Sequence, residues 1–136
     1  MKILVETPKY SFKKYRKKRR GYAVDLVSPI PTPFNYGIIL NTKADDGLPQ
    51  DAIILGEKQP QGRELEAEKL GVACFTDEGI QDNKIIVSTK KRVDWQDKIK
   101  INLFFHVYSL YKKIVGLTTK GRIPDTRFEG IIFEGA

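Results

Sequence analysis

Only one stretch of this chain carries the repeat of a long amphipathic helix, and that restricts the architectures open to it. From Trp95 onward, apolar residues fall at Ile99, Leu103, Phe104, Val107, Tyr108, Tyr111, Ile114 and Val115. Spacings of three, four and seven make one face of a helix. Asp94 is the expected N-cap, Lys112 and Lys113 suit the negative C-terminal end, and Gly116 is the expected stop, so the helix is predicted over about 95–115. Trp95 is expected to anchor it. The other apolar runs are short: Ile3–Val5, Tyr22–Val27, Phe34–Leu40, Ala52–Leu55, a longer stretch over Glu64–Thr76, Lys84–Ser88 and Phe128–Phe133. Each reads as a strand. Pro29, Pro31 and Pro33 alternate between two of them, and proline fixes φ and donates nothing to a ladder, so 28–33 is expected to be extended chain outside the sheet. Many short strands and one long helix predict a β-rich α+β fold, most simply a small closed barrel with the helix packed on it.

With 136 residues and 40% hydrophobic content, one domain over 1–136 with its own core is expected. No apolar run approaches the roughly 20 residues of a membrane span. The N-terminus has no signal-peptide pattern, so the default expectation is a cytoplasmic protein. One cysteine, Cys74, and one histidine, His106, exclude an intrachain disulfide and the common zinc sites. The net charge of +7 is local: Lys9 to Arg20 holds eight basic residues and no acidic one, and the remaining residues sum to about −1. Such a run suits an anionic partner.

Carboxylates concentrate in two glycine-containing turns, Asp45-Asp46-Gly47-Leu48-Pro49-Gln50-Asp51 and Asp77-Glu78-Gly79-Ile80-Gln81-Asp82. Oxygen-rich loops with few histidines suit a hard cation such as magnesium. Carboxylates hold metals, metals hold phosphate, and lysines neutralise the charge that remains. The order of residues is more specific. Pro33-Phe34-Asn35-Tyr36-Gly37, Asn41-Thr42, Ala44-Asp45-Asp46-Gly47, and Pro49 with Asp51 before an apolar strand closely resemble the soluble, magnesium-dependent inorganic pyrophosphatases. So do Gly71-Val72 leading to Asp77-Glu78-Gly79, Asp82 and Lys84, then Phe104-Phe105 with Tyr108, and Glu6 and Pro8 followed by Lys14-Tyr15. The resemblance runs in order over roughly residues 3–110.

The resemblance implies an oligonucleotide-binding-like five-stranded barrel with a flanking helix, a homo-oligomer, and hydrolysis of diphosphate to two phosphates by metal-activated water. Asp46, Asp51, Asp77 and Asp82 fall on metal-binding carboxylates, and Glu6 on an acidic residue of the metal-filled pocket. Lys14, Lys84, Tyr36 and Tyr108 fall on phosphate ligands, with Asp46, Lys14 and Tyr36 nearest to catalysis. Four positions depart from the family pattern. Leu48 stands where an aspartate helps to activate the nucleophilic water, and Ser109 stands for a lysine. Val24 stands for a phosphate-binding arginine, and Arg16 for an acidic residue. These departures leave two readings beside an active diphosphatase: a relative that binds diphosphate or phosphate with little turnover, and, less favoured, nucleic-acid binding by the basic arm with Tyr10, Phe12 and Tyr15 as stacking rings.

Overall fold

The computed structural model describes residues 1–44, 47–89 and 94–133. Its strands are β1 (Lys2–Thr7), β2 (Lys13–Lys17), β3 (Tyr22–Val27), β4 (Asn35–Ile39), β5 (Gln50–Leu55), β6 (Glu64–Glu66), β7 (Glu68–Asp77), β8 (Ile80–Gln81), β9 (Lys84–Ser88) and β10 (Arg127–Phe133), with one helix, α1 (Trp95–Lys120), before β10. The main sheet runs β10-β7-β9-β5-β4-β1-β6, with β8 on β7, and β2 and β3 form a separate hairpin. All pairs are antiparallel except β5 with β9.

The β-rich fold with one packed helix is as expected, but the ladder is an open path and not the closed five-stranded ring of the sequence reading. The reason lies in the long stretch at Glu64–Asp77. Its first part, β6, pairs with β1 over only three residues. The chain then bends at buried Ala67, whose N–H donates to the Met1 carbonyl at 3.0 Å. Beyond the bend β7 pairs with β9 and β10. The curled sheet therefore returns on itself through the backbone of one bent stretch, without a further hydrogen-bonded seam.

Strand β5 shows why a continuous apolar run is needed. Ile53 and Leu55 pack towards α1 with Phe34, Phe75, Ile86 and Phe105. Ala52 and Ile54 point the other way, to Ile3, Val5, Ile39 and Val87. A strand covered on both faces cannot alternate apolar with polar residues. The prolines at 29, 31 and 33 lie outside any strand. There Thr32 accepts the Tyr10 N–H at 2.7 Å and donates its own N–H to Ser11 at 3.0 Å, so the basic arm is pinned beside the extended segment.

Helix α1 begins at Asp94, as expected; the Asp94 N–H donates to the Asp97 carboxylate at 3.2 Å. It does not stop at Gly116. It runs to Lys120 and ends on Gly121, at φ 70°, whose N–H returns to the Leu117 carbonyl at 3.1 Å. Gly116 is needed mid-helix because a Cβ there would collide with the ring of Pro124, where the chain turns back. The buried face also differs from the expected one. Ile101, Phe104, Phe105, Ser109 and Gly116 are buried, whereas Ile99, Leu103 and Ile114 are exposed and Trp95, at 68% exposure, anchors nothing. Apolar residues occur on two sides of this helix, and periodicity alone could not say which side meets the sheet.

Candidate active site

The site is built where β4, β5, β7 and β9 end beside the β2–β3 hairpin and α1. Tyr36 on β4 lies at its centre, 4% exposed, with no hydrogen-bond partner on its hydroxyl. Two ammonium groups approach the same ring, Lys14 Nζ at 4.2 Å and Lys84 Nζ at 5.8 Å from its centroid. Lys84, on β9, is 3% exposed and holds Asp51 on β5 and Asp82 after β8, each at 2.7 Å. Lys14, on β2, lies 3.9 Å from Asp25, which also faces Arg16 at 3.6 Å. Asp77, at the end of β7, pairs with Lys112 of α1 at 2.9 Å and accepts the buried Thr126 hydroxyl at 3.2 Å.

Asn35 explains why its motif is built as it is. Fully buried, it accepts the Lys9 and Gln59 N–H groups at 3.0 and 2.8 Å and donates to the Glu57 carbonyl at 2.8 Å. It thereby ties the root of the basic arm and the loop after β5 to the strand that carries Tyr36.

The charges tune one another. Burial and the neighbouring Lys84 push the Lys14 ammonium down to about 8, against the pull of Asp51, Asp25 and Asp82. Burial by itself would raise the Asp51 carboxyl, but Lys84, Lys14 and Arg16 outweigh it and hold it below the usual carboxylate range. Burial pushes the Tyr36 and Tyr108 phenols up, and nearby carboxylates add to both shifts. An anion between Lys14 and Lys84 would relieve their mutual repulsion and give the Tyr36 hydroxyl an acceptor.

Two cavities open on these groups. One, of about 470 Å³, is lined by Lys14, Arg16, Tyr36, Asp82, Lys84 and Tyr108 among others. The second, of about 680 Å³, is bounded by Arg16, Leu48, Asp51, Asp77 and Asp82. Of the residues singled out in the sequence, Lys14, Tyr36, Asp51, Asp77, Asp82, Lys84 and Tyr108 therefore converge on adjoining space. Asp46 lies outside the described residues, as does Asp45. Glu6 is buried and accepts the Lys17 N–H at 2.7 Å, which makes it a clamp on the hairpin; burial raises its pKa against that hydrogen bond. Leu48 lies beside the carboxylates, half-exposed, whereas Val24 is exposed on β3 away from both cavities. Ser109 is buried in α1 with its hydroxyl unpartnered. Asp25 was not legible as a site residue; its one signal is that it is the carboxylate opposite the basic strand.

Among the described residues no three acidic, histidine or cysteine side chains form a metal-binding group. The donors nevertheless suit a hard cation: they are all carboxylate oxygens, and Asp51 and Asp82 already meet on one cationic centre, the Lys84 ammonium.

A curled but unclosed sheet capped by one helix, with carboxylates and lysines gathered at one rim, defines a β-rich α+β protein of the oligonucleotide-binding-like kind. The chain belongs to the inorganic pyrophosphatase family, whose profile matches residues 3–115. It is similar to the inorganic pyrophosphatase of Campylobacter jejuni, 37% identical over 103 residues that cover 71% of this chain and 60% of the relative. Against that of Halalkalibacterium halodurans it is 29% identical over 133 residues, covering 88% and 82%. The match to the Synechocystis enzyme spans 53% of that relative, so this chain accounts for little more than half the length of some proteins it resembles. Among solved structures, inorganic pyrophosphatases of Thermus thermophilus (TM-score 0.78, 23% identity, 98% of this chain and 82% of that one) and Neisseria gonorrhoeae (0.76, 24%, 96% and 80%) share the fold.

Proposed function

We propose that this protein hydrolyses inorganic diphosphate to two phosphates with magnesium, at a rate lowered by Leu48. The observation that carries the reading is the approach of Lys14 and Lys84 to one buried, unpartnered tyrosine, next to carboxylates on β5 and after β8. In this reading Lys14, Lys84 and the Tyr36 hydroxyl bind one phosphate and Tyr108 lines the place of the other. Asp51, Asp77 and Asp82, with Asp46 by resemblance, would hold magnesium. When bound, the metal neutralises diphosphate charge and lowers the pKa of water from 15.7 towards about 7. Lys112 is drawn to Asp77 and is free to turn to phosphate once a cation replaces it there. Family membership supports a cytoplasmic setting.

Phosphate release from diphosphate with excess magnesium tests the reading; no release above a buffer control at high protein concentration sinks it. A second reading, diphosphate binding with little turnover, is favoured by Leu48 beside the carboxylates. It requires calorimetric binding of diphosphate without release, and rapid turnover excludes it.

We infer a homo-oligomer as well. Trp95, Ile99, Leu103, Leu110, Ile114 and Leu117 are each more than half exposed on the outward side of α1. Contiguous apolar surface of this kind marks an interaction site. Light scattering reads the outcome directly: a mass of 15.5 kDa across micromolar concentrations would rule the oligomer out.

A further inference from the structure

The cavity beside Lys14 and Lys84 is not uniformly polar. Lys14, Arg16, Lys84 and Lys112 and the carboxylates of Asp25, Asp77 and Asp82 share its lining with Leu26, Val27, Phe104, Tyr108, Tyr111 and Val115. The helical contributors stand at 104, 105, 108, 111, 112 and 115, one helix face that is apolar except for Lys112. The Tyr108 ring is parallel to that of Phe104, 6.0 Å between centroids and 7° between planes, and it lies 5.8 Å from Phe75. Val27 and Val115 of this lining are 52% and 38% exposed, so part of the apolar wall is open to solvent. Tyr36, with its unpartnered hydroxyl, stands in the same lining.

Inorganic diphosphate does not account for such a lining. All its surface is charged or polar, and placing it or its hydration shell against aromatic walls is unfavourable. Cavities of this size, apolar with a few convergent polar groups, are those that take organic ligands. We propose that the site accepts a diphosphate monoester, its diphosphate held at Lys14, Lys84 and Tyr36 and its apolar or aromatic substituent lying between β3 and α1. This rests on the phosphate site proposed above and names a substrate class for it. Hydrolysis of such an ester joins the oxygen of water to the terminal phosphorus and breaks the bond from that phosphorus to the bridging oxygen. It releases the organic monophosphate, phosphate and one proton.

Calorimetry with excess magnesium tests this with four probes: inorganic diphosphate, methyl diphosphate, isopentyl diphosphate and adenosine 5′-diphosphate. The three esters share a headgroup and differ in substituent. Isopentyl diphosphate, adenosine 5′-diphosphate or both should bind at least tenfold tighter than methyl diphosphate, and which one gains tells an aliphatic source from a nucleotide source. Val115→Asp, and separately Val27→Asp, should cut that gain to below twofold. Binding of inorganic diphosphate with no gain for either larger ester overturns this proposal alone, as does a gain that survives both substitutions. Failure of all four probes to bind overturns the phosphate site itself, and this proposal with it.

Discussion

At the mouth of the sheet Lys84 is 3% exposed and touches two carboxylates at 2.7 Å. At the tip of the β2–β3 hairpin Lys18, Arg19 and Arg20 are exposed, and none of them forms an ion pair with a described residue. The hairpin supplies most of the net positive charge, yet the mouth holds the buried, paired charges. Charge in water is screened and cheap to move, whereas charge shielded from water interacts strongly and must be matched. Lys14 and Arg16 connect the two regions: they belong to the basic run in sequence but turn inward to Asp25 and the cavity.

Removing the buried cation is expected to have the largest effect. Lys84→Met removes the cation that touches both Asp51 and Asp82 and should cost ~3–5 kcal/mol of stability in a urea titration. A loss under ~1 kcal/mol would mean that the mouth is as well solvated as the hairpin. Next comes Leu48→Asp, which restores a carboxylate beside Asp51 and Asp82. Phosphate release from diphosphate should rise by ~10² or more, within the range of a general base; an unchanged rate would place the shortfall at Ser109 or Val24 instead.

Lys14 should give the mouth a pH signature that the hairpin tip lacks. Its folded pKa of about 8 lies below the ordinary lysine value of 10.5. Between those values the unfolded chain binds more protons, so stability should rise with pH across about 8 to 10.5, while the cost of burying the charge is fully present below 8. Diphosphate affinity should move the opposite way, falling by up to ~10-fold per pH unit above 8 as the ammonium is lost. Calorimetry from pH 7 to 9.5 reads this, and a Lys14→Met variant should show neither trend. The smallest effect belongs to the tip: Arg19→Ser with Arg20→Ser should leave stability within ~0.5 kcal/mol, because exposed charges away from buried networks contribute little. A larger loss would show that the tip is part of the folded network.

Much of the fold was legible because strand runs such as Ala52–Leu55 and Lys84–Ser88 are apolar enough to demand burial on both faces. The carboxylate, lysine and tyrosine positions were legible through ordered motifs, and seven of them meet around two cavities. Strand β2 was legible only as a basic hairpin, since Lys13–Lys17 has no apolar alternation to mark a strand. The buried side of α1 was misassigned because Leu103 and Phe104 are adjacent apolar residues on different sides, and only contact with the sheet distinguishes them.

The sequence by itself determined that one amphipathic stretch, 95 onward, would be the long helix and that the shorter runs would be strands, because periods of 3.6 and 2 are written in single residues. It also singled out the carboxylates, lysines and tyrosines that the fold gathers around adjoining cavities. Only the tertiary structure decided which apolar face of that helix meets the sheet, that Glu6 clamps a hairpin, and that Arg16, Asp25 and Lys112 join the site. Those outcomes depend on contacts between residues far apart in the chain, as from Asp77 to Lys112 or Lys84 to Asp51, and no local pattern encodes them.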